Sequence, residues 1–231
     1  MISSLGFSSG FPTKLEGIGR RTHRFSSRLN ILFGPNGSGK STMLSTMAQL
    51  TGCGGGGWSD AAVATQLHYK AEIAWDGQPV FFQDFVSDSD TSFLRTGYLE
   101  SNAFLRSKGE KRIGLINEIV NSFESRFPTY KLPIDIRPTL LLDEVDNHLG
   151  LAAQSFFWND LIGALSKKYQ LILATHSIFP ILLRRDSSLR KDQVIVMIED
   201  YDRVCMRELS KAIDYYNKVN GSPPAPKSPA I

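Results

Sequence analysis

Gly34-Pro35-Asn36-Gly37-Ser38-Gly39-Lys40-Ser41-Thr42 decides how this chain of 231 residues is read. The stretch fits the pattern G-x-x-x-x-G-K-[ST] and directly follows an apolar run, Leu29 to Phe33, that reads as a buried strand. The glycines let the backbone curl so that successive N–H groups point at phosphate oxygens. The helix expected over about Lys40 to Leu50 aims its positive dipole end at the same anion. Lys40 is expected to reach the β and γ phosphates, and the Ser41 hydroxyl to hold Mg²⁺. Gly34, Pro35, Asn36, Gly37, Ser38, Gly39 and Thr42 complete the cradle. A glycine-rich turn with an incidental lysine is the competing reading, and the order strand, loop, helix speaks against it. The expected ligand is a nucleoside triphosphate.

Working outward, Met43, Leu44, Met47 and Leu50 share one helix face before Gly52 stops the helix. Cys53 to Trp58 reads as a glycine loop. Gln66 to Trp75 and Pro79 to Phe85 read as two strands around Asp76-Gly77, a dipeptide that favours hairpins, so an antiparallel flap is expected. Ile113, Ile116, Ile119, Val120 and Phe123 form a helical face ending before Pro128, and Leu140 to Leu142 is a short strand behind Pro138. Phe156, Phe157, Leu161 and Leu165 mark another helix. Leu171 to Ala174 and Val194 to Ile198 read as core strands with a short helix between them. Strands alternating with helices around a phosphate loop predict an α/β fold with a mostly parallel sheet flanked by helices on both faces, plus the small antiparallel flap.

Composition bounds the rest. With 42% apolar residues the chain can bury a full core, and residues 1–220 read as a single domain. Gly221 to Ile231 carries four prolines in eleven residues and reads as a disordered tail. Cys53 and Cys205 are too few for a disulfide framework or a four-ligand zinc site and read as packing thiols of a reducing compartment. Met1 to Phe11 lacks the pattern of a leader, and no apolar run approaches the roughly 18 residues of a membrane span. A cytoplasmic protein without membrane insertion is expected. The net charge of +3 announces no polyanion partner by itself, but Lys14, Arg20, Arg21, Arg24 and Arg28 face only Glu16 in their stretch. Nucleic acid is one reading of that run; contact with the nucleotide, or a solvated strand face, is the other.

Three further motifs carry chemistry. Leu140-Leu141-Leu142-Asp143-Glu144 is an apolar strand ending in two acids: Asp143 is placed to hold Mg²⁺, and Glu144 to polarise the attacking water. Leu171-Ile172-Leu173-Ala174-Thr175-His176-Ser177 sets a histidine at the tip of a buried strand, where it can hydrogen-bond the γ phosphate. Ser107-Lys108-Gly109-Glu110-Lys111 stands at the entrance to a helix, and a Ser hydroxyl, a bare Gly N–H and a helix N-terminus together suit an anion.

In the order GPNGSGKST, SKGEK, LLLDE and ATHS, the chain resembles the P-loop NTPase module of the ABC superfamily, in the style of stand-alone RecF, SMC and OLD-type AAA family ATPase heads. The resemblance covers roughly Leu29 to Ile198. It implies an Mg²⁺-dependent ATP hydrolase that dimerises around ATP, with Ser107 and Gly109 presented to the nucleotide of the opposite protomer. It also implies that Gln83, in Phe81-Phe82-Gln83-Asp84, meets Mg²⁺ and the attacking water. Lys108 stands where transporter subunits usually carry Gly, and Gly150 where many members carry a partner-contacting Asp. For the adenine, Phe7, Phe11, Phe25 or an N-terminal arginine are the candidates.

Only 102 residues separate Lys40 from Asp143, with no long heptad pattern, so a coiled-coil arm is not expected. The resemblance to small RecF- and OLD-like ATPases implies a dimer that regulates or recruits a separate effector, with a DNA-linked role in genome maintenance or antiviral phage defence. The alternative is the nucleotide-binding subunit of an ABC transporter. Against it, the 23 residues between Gln83 and Ser107 leave little room for the helical subdomain that grips membrane helices. A small-molecule kinase would leave SKGEK and ATHS unused.

Overall fold

The computed structural model describes residues 1–54, 57–59, 67–84, 137–147, 149–186, 188–190 and 193–221. The helix expected from Ile113 to Phe123 and the SKGEK motif lie outside these residues.

The central sheet is built from strands whose residues are apolar on both faces. These are β3 (Leu29–Phe33), β6 (Val80–Asp84), β7 (Thr139–Asp143), β8 (Gln170–Thr175) and β9 (Val194–Val196). They run parallel in the order β6-β7-β8-β3-β9, and the short β4 (Gly57–Trp58) pairs antiparallel with the β6 edge. Alternation divides each strand between two cores. Helix α1 (Lys40–Leu50) covers one face by packing Met43, Leu44 and Met47 with Leu32, Phe82, Leu141 and Ile172. On the other face Ile31, Phe81, Leu142 and Leu173 meet Phe157, Trp158, Ile162 and Leu165.

Those last four residues come from one continuous helical run: α2 (Leu151–Phe156), a π-helical turn (Phe157–Leu161) and α3 (Ile162–Lys168). The π turn holds an extra residue, so the buried stripe shifts phase. Phe156, expected on the core face, is 51% exposed, and Trp158 is buried in its stead. After β8 come α4 (Phe179–Arg185), β9 and α5 (Tyr201–Asn220), the last without a buried residue. Among the described residues no helix is long and apolar enough to cross a membrane.

The antiparallel flap exists, but its strands are not those of the expected hairpin. It joins β2 (Thr22–Arg24), β1 (Ile2–Ser9) and β5 (Lys70–Trp75), whereas β6 enters the central sheet. The Asp76-Gly77 turn forms, with Gly77 at φ +77° and Asp76 Oδ1 accepting the Gln78 N–H at 3.0 Å, yet it hands the chain from one sheet to the other. Burial decides this. Val80, Phe81 and Phe82 are buried on both strand faces, which a three-stranded flap could not provide, while β5 alternates between exposed and half-buried residues.

Gln170 ties the two sheets together from inside. Its Oε1 accepts the Ile2 N–H (2.8 Å) and the Thr139 hydroxyl (2.7 Å), and its Nε2 donates to Ile2 O (2.7 Å) and Ser26 O (2.8 Å). Both donors and both lone pairs are used, at zero exposure. Gln170→Leu leaves the buried Ile2 N–H, Ile2 O and Thr139 hydroxyl without these partners. It should lower unfolding free energy by at least about 1–3 kcal/mol, the cost of one such orphan. Chemical denaturation checks this; a change below about 0.5 kcal/mol would show that the amide is dispensable.

Candidate functional site

The phosphate loop follows β3 and ends at α1. Gly37 (φ +76°) and Gly39 (φ +101°) hold left-handed conformations that a side chain would strain. A Cβ on Gly39 would stand 2.7 Å from the Ile18 side chain, and one on Gly17 would stand 2.2 Å from Ser38 O. The segment around Gly17 and Ile18 therefore lies directly on the loop. Arg21 secures it, donating to Gly17 O (2.8 Å) and Ile18 O (3.1 Å). Of the basic run, that arginine serves its own fold, while Lys14, Arg20, Arg24 and Arg28 are exposed.

Lys40 is buried with all three ammonium hydrogens directed: to Gly34 O at 2.8 Å, Pro35 O at 3.0 Å and His176 Nδ1 at 3.2 Å. Burial pulls its pKa below the usual lysine value, opposed by the nearby Glu144 and Asp143 carboxylates. An ammonium has only donors, so His176 Nδ1 accepts from it, and His176 Nε2 donates to Glu144 Oε1 at 2.5 Å. Gly34 O also lies 3.3 Å from that Nδ1. A hydrogen-bonded chain thus runs from Lys40 through His176 to Glu144. The two strand-end motifs of β7 and β8 converge on the phosphate loop because those strands are parallel neighbours in register, with Asp143 beside Ala174.

Glu144 sits at φ +51°, a left-handed backbone that costs a non-glycine residue about 1–3 kcal/mol. The turn is held by Glu144 N–H donating to Ala174 O (3.0 Å) and Asn147 N–H donating to Glu144 O (3.0 Å). Asn147 Nδ2 donates to Glu144 Oε2 at 3.3 Å. Each carboxylate oxygen of Glu144 is thereby oriented.

Asp143 is 4% exposed, and among the described residues its Oδ1 has no hydrogen-bond partner. Burial pushes its pKa up to about 6, against the lowering effect of the Ser41 hydroxyl bond and with a further rise from the Asp84 and Glu144 charges. A desolvated carboxylate oxygen without a partner, beside a hydroxyl that opens a helix under a phosphate loop, fits a hard divalent cation shared with phosphate oxygens.

Gln83 lies near the end of β6. Alternation puts it on the Phe81 side of β6, opposite α1, and its Nε2 donates to Asp84 O at 2.8 Å. The register sets Asp84 beside Asp143. Ser107 and Gly109 lie outside the described residues. Of the adenine candidates, Phe7 and Phe25 are core residues, while Phe11 is 56% exposed and meets Tyr69 edge-on at 5.3 Å. Cys53 is a buried packing thiol whose pKa burial raises to about 11.

Asn147, Asp146 and the Gly17–Ile18 cover are the residues that motif reading missed. Asp146 stands three positions after Asp143 and carries no motif of its own in the sequence.

No protein-family model matches the chain. It is 28% identical over 163 residues to the vitamin B12 import ATP-binding protein BtuD of Salmonella typhimurium, an alignment covering 64% of this chain and 66% of that relative. The chain thus spans slightly under two thirds of the curated relatives it matches. Among solved structures, it superposes on a nucleotide-free ATP-binding cassette from an ABC transporter with TM-score 0.45 and 11% identity, covering 79% of this chain and 84% of that one. With the SMC head domain from Thermotoga maritima the values are 0.42 and 17%, covering 80% and 91%.

Proposed function

We propose that this chain, an ABC-type nucleotide-binding domain, binds ATP with Mg²⁺, hydrolyses it, and dimerises around it. The observation that carries the reading is the convergence of Lys40, His176 and Glu144 on one hydrogen-bonded line beside the buried Asp143 Oδ1, which has no partner among the described residues. Residues 1–220 act as the ATPase domain.

Loop N–H groups and the start of α1 cradle the phosphates, and Lys40 exchanges its bonds to Gly34 O and Pro35 O for β and γ oxygens. Asp143 and Ser41 would hold Mg²⁺, which would supply neutralisation of the charge that develops on the phosphate oxygens. Glu144 orients the attacking water and takes its proton. His176 turns its Nε2–H from Glu144 Oε1 to an oxygen of the γ phosphate. Gln83, as the family resemblance implies, would meet the metal and the attacking water from the end of β6. Ser107 and Gly109 complete the site of the opposite protomer.

His176→Ala should therefore keep ADP affinity within about threefold and lose turnover by about two powers of ten. Titration with a fluorescent ADP analogue alongside steady-state ATPase checks this. Parallel loss of ADP binding and thermal stability would assign the histidine to structure instead.

The domain regulates or recruits a separate effector in the cytoplasm, with the exposed Lys14, Arg20, Arg24 and Arg28 available for a nucleic-acid contact in a defence or genome-maintenance setting. The similarity to an import ATP-binding protein favours a second reading, a transporter subunit working beneath a membrane partner. Pull-down from the native host separates the two: a nuclease or toxin supports the effector, and a multi-span membrane protein the transporter.

A further inference from the structure

Beneath the site, on the sheet face away from α1, a buried carboxylate has no part in the chemistry proposed above. Asp146 is 4% exposed and uses one oxygen, Oδ2, to accept both the Thr175 hydroxyl (2.7 Å) and the Trp158 indole N–H (3.0 Å). Thr175 Oγ1 in turn accepts the Ser177 N–H at 2.8 Å, and Ser177 Oγ donates to Gln154 Oε1 at 2.8 Å. The residues on either side of His176 are thus fastened to the turn that carries Glu144, and that turn is fastened to the π-helical stretch Phe157–Leu161.

We infer that Asp146 and Thr175 are positioning residues, which lock the Glu144 turn to the His176 loop and couple both to the helix through Trp158. The inference rests on the ATPase reading for its kinetic consequence but not for its geometry. Glu144 holds a left-handed backbone, and such a conformation persists only where its surroundings over-determine it. Beside the His176–Glu144 pairing itself, bonds from Glu144 N–H to Ala174 O and from the Thr175 hydroxyl to Asp146 Oδ2 cross between the turn and the loop. Without the second, the turn would pivot about the first and the 2.5 Å pairing of His176 with Glu144 would open. Burying a carboxylate is costly unless its bonds are good, so its retention in this wall suits a demand for a fixed geometry. The π turn fits the same scheme, because it brings Trp158 inward to reach Asp146.

The test uses the full chain. Thr175→Val keeps the shape and removes the hydroxyl; kcat for ATP should fall about ten- to hundred-fold, as expected for an ångström-scale misplacement, with KM changed less than about threefold. Thr175→Ser, which restores the hydroxyl, should recover kcat to within about threefold of wild type. In the nucleotide-free chain, histidine ¹⁵N spectra assigned through His176→Ala should show the His176 Nε2–H tautomer in wild type and in Thr175→Ser, and a mixed tautomer in Thr175→Val. Should Thr175→Val not fold, Trp158→Phe carries the test with the same readouts and a smaller fall in kcat. A variant lacking the hydroxyl or indole bond that leaves both kcat and the His176 spectrum unmoved overturns the inference. An inactive wild type whose His176 spectrum still responds to Thr175→Val would leave the positioning role standing and remove the ATPase reading.

Discussion

Glu144→Gln is expected to lower steady-state ATP turnover by about two to four powers of ten while leaving ATP binding near wild type. Glutamine keeps the length and planarity of the side chain, and its one carbonyl oxygen can still accept the bond from His176, while its amide nitrogen, a donor, cannot accept the one from Asn147. It cannot take a proton from water. Lys40, Ser41 and Asp143, which hold the nucleotide and cation in this scheme, are untouched. ATP should therefore bind and persist, and the dimer should accumulate. Sizing chromatography in ATP and Mg²⁺ reads that accumulation, and steady-state ATPase reads the turnover. Near-normal turnover in this variant would remove Glu144 from the reaction and leave its oriented carboxylate and left-handed backbone unexplained.

The second large effect is complementation between two inactive chains. Lys40→Ala deletes the ammonium that now satisfies Gly34 O, Pro35 O and His176 Nδ1, and with it the phosphate contact. Ser107→Arg adds bulk and charge on the surface that the family resemblance assigns to the partner's nucleotide. Each variant alone should be nearly inactive. In a mixed head-to-tail dimer one site combines both defects, whereas the other pairs an intact loop with an intact signature. Mixing the two should restore measurable ATPase, with a maximum at intermediate ratios. A flat, inactive mixing series with both proteins folded and able to cross-link in ATP would show that the two residues serve the same site.

Local chemistry made the phosphate loop legible: glycines at Gly37 and Gly39 take the left-handed backbone that the pattern implies, and the helix runs from Lys40 to Leu50. The strand-end motifs were legible for the same reason, since Asp143, Glu144 and His176 each close an apolar run that had to be buried. What stayed hidden depends on partners distant in sequence. Asp76-Gly77 signals a turn correctly, but only the two-sided burial of Val80, Phe81 and Phe82 tells which sheet receives the next strand. Alternation separates Gln83 from Asp84, yet which of them faces α1 is fixed by the packing of the whole sheet. In β1 the register shifts between Ile2 and Ser4 and between Phe7 and Ser9 break the two-residue period, so the strand left no clean pattern. The π turn likewise moved the buried stripe from Phe156 to Trp158. Asp146 reads as one more acid in a polar turn until Thr175 and Trp158 are seen beside it.

The central claim is an ATPase site completed by a second copy of the chain, and the specific activity of wild type across a dilution series tests it most directly. At saturating ATP and Mg²⁺, activity per chain should fall on dilution as the ATP-bound dimer dissociates, in step with loss of the dimer by sedimentation. A chain that stays monomeric in ATP and hydrolyses it at a rate per molecule independent of concentration would contradict the account.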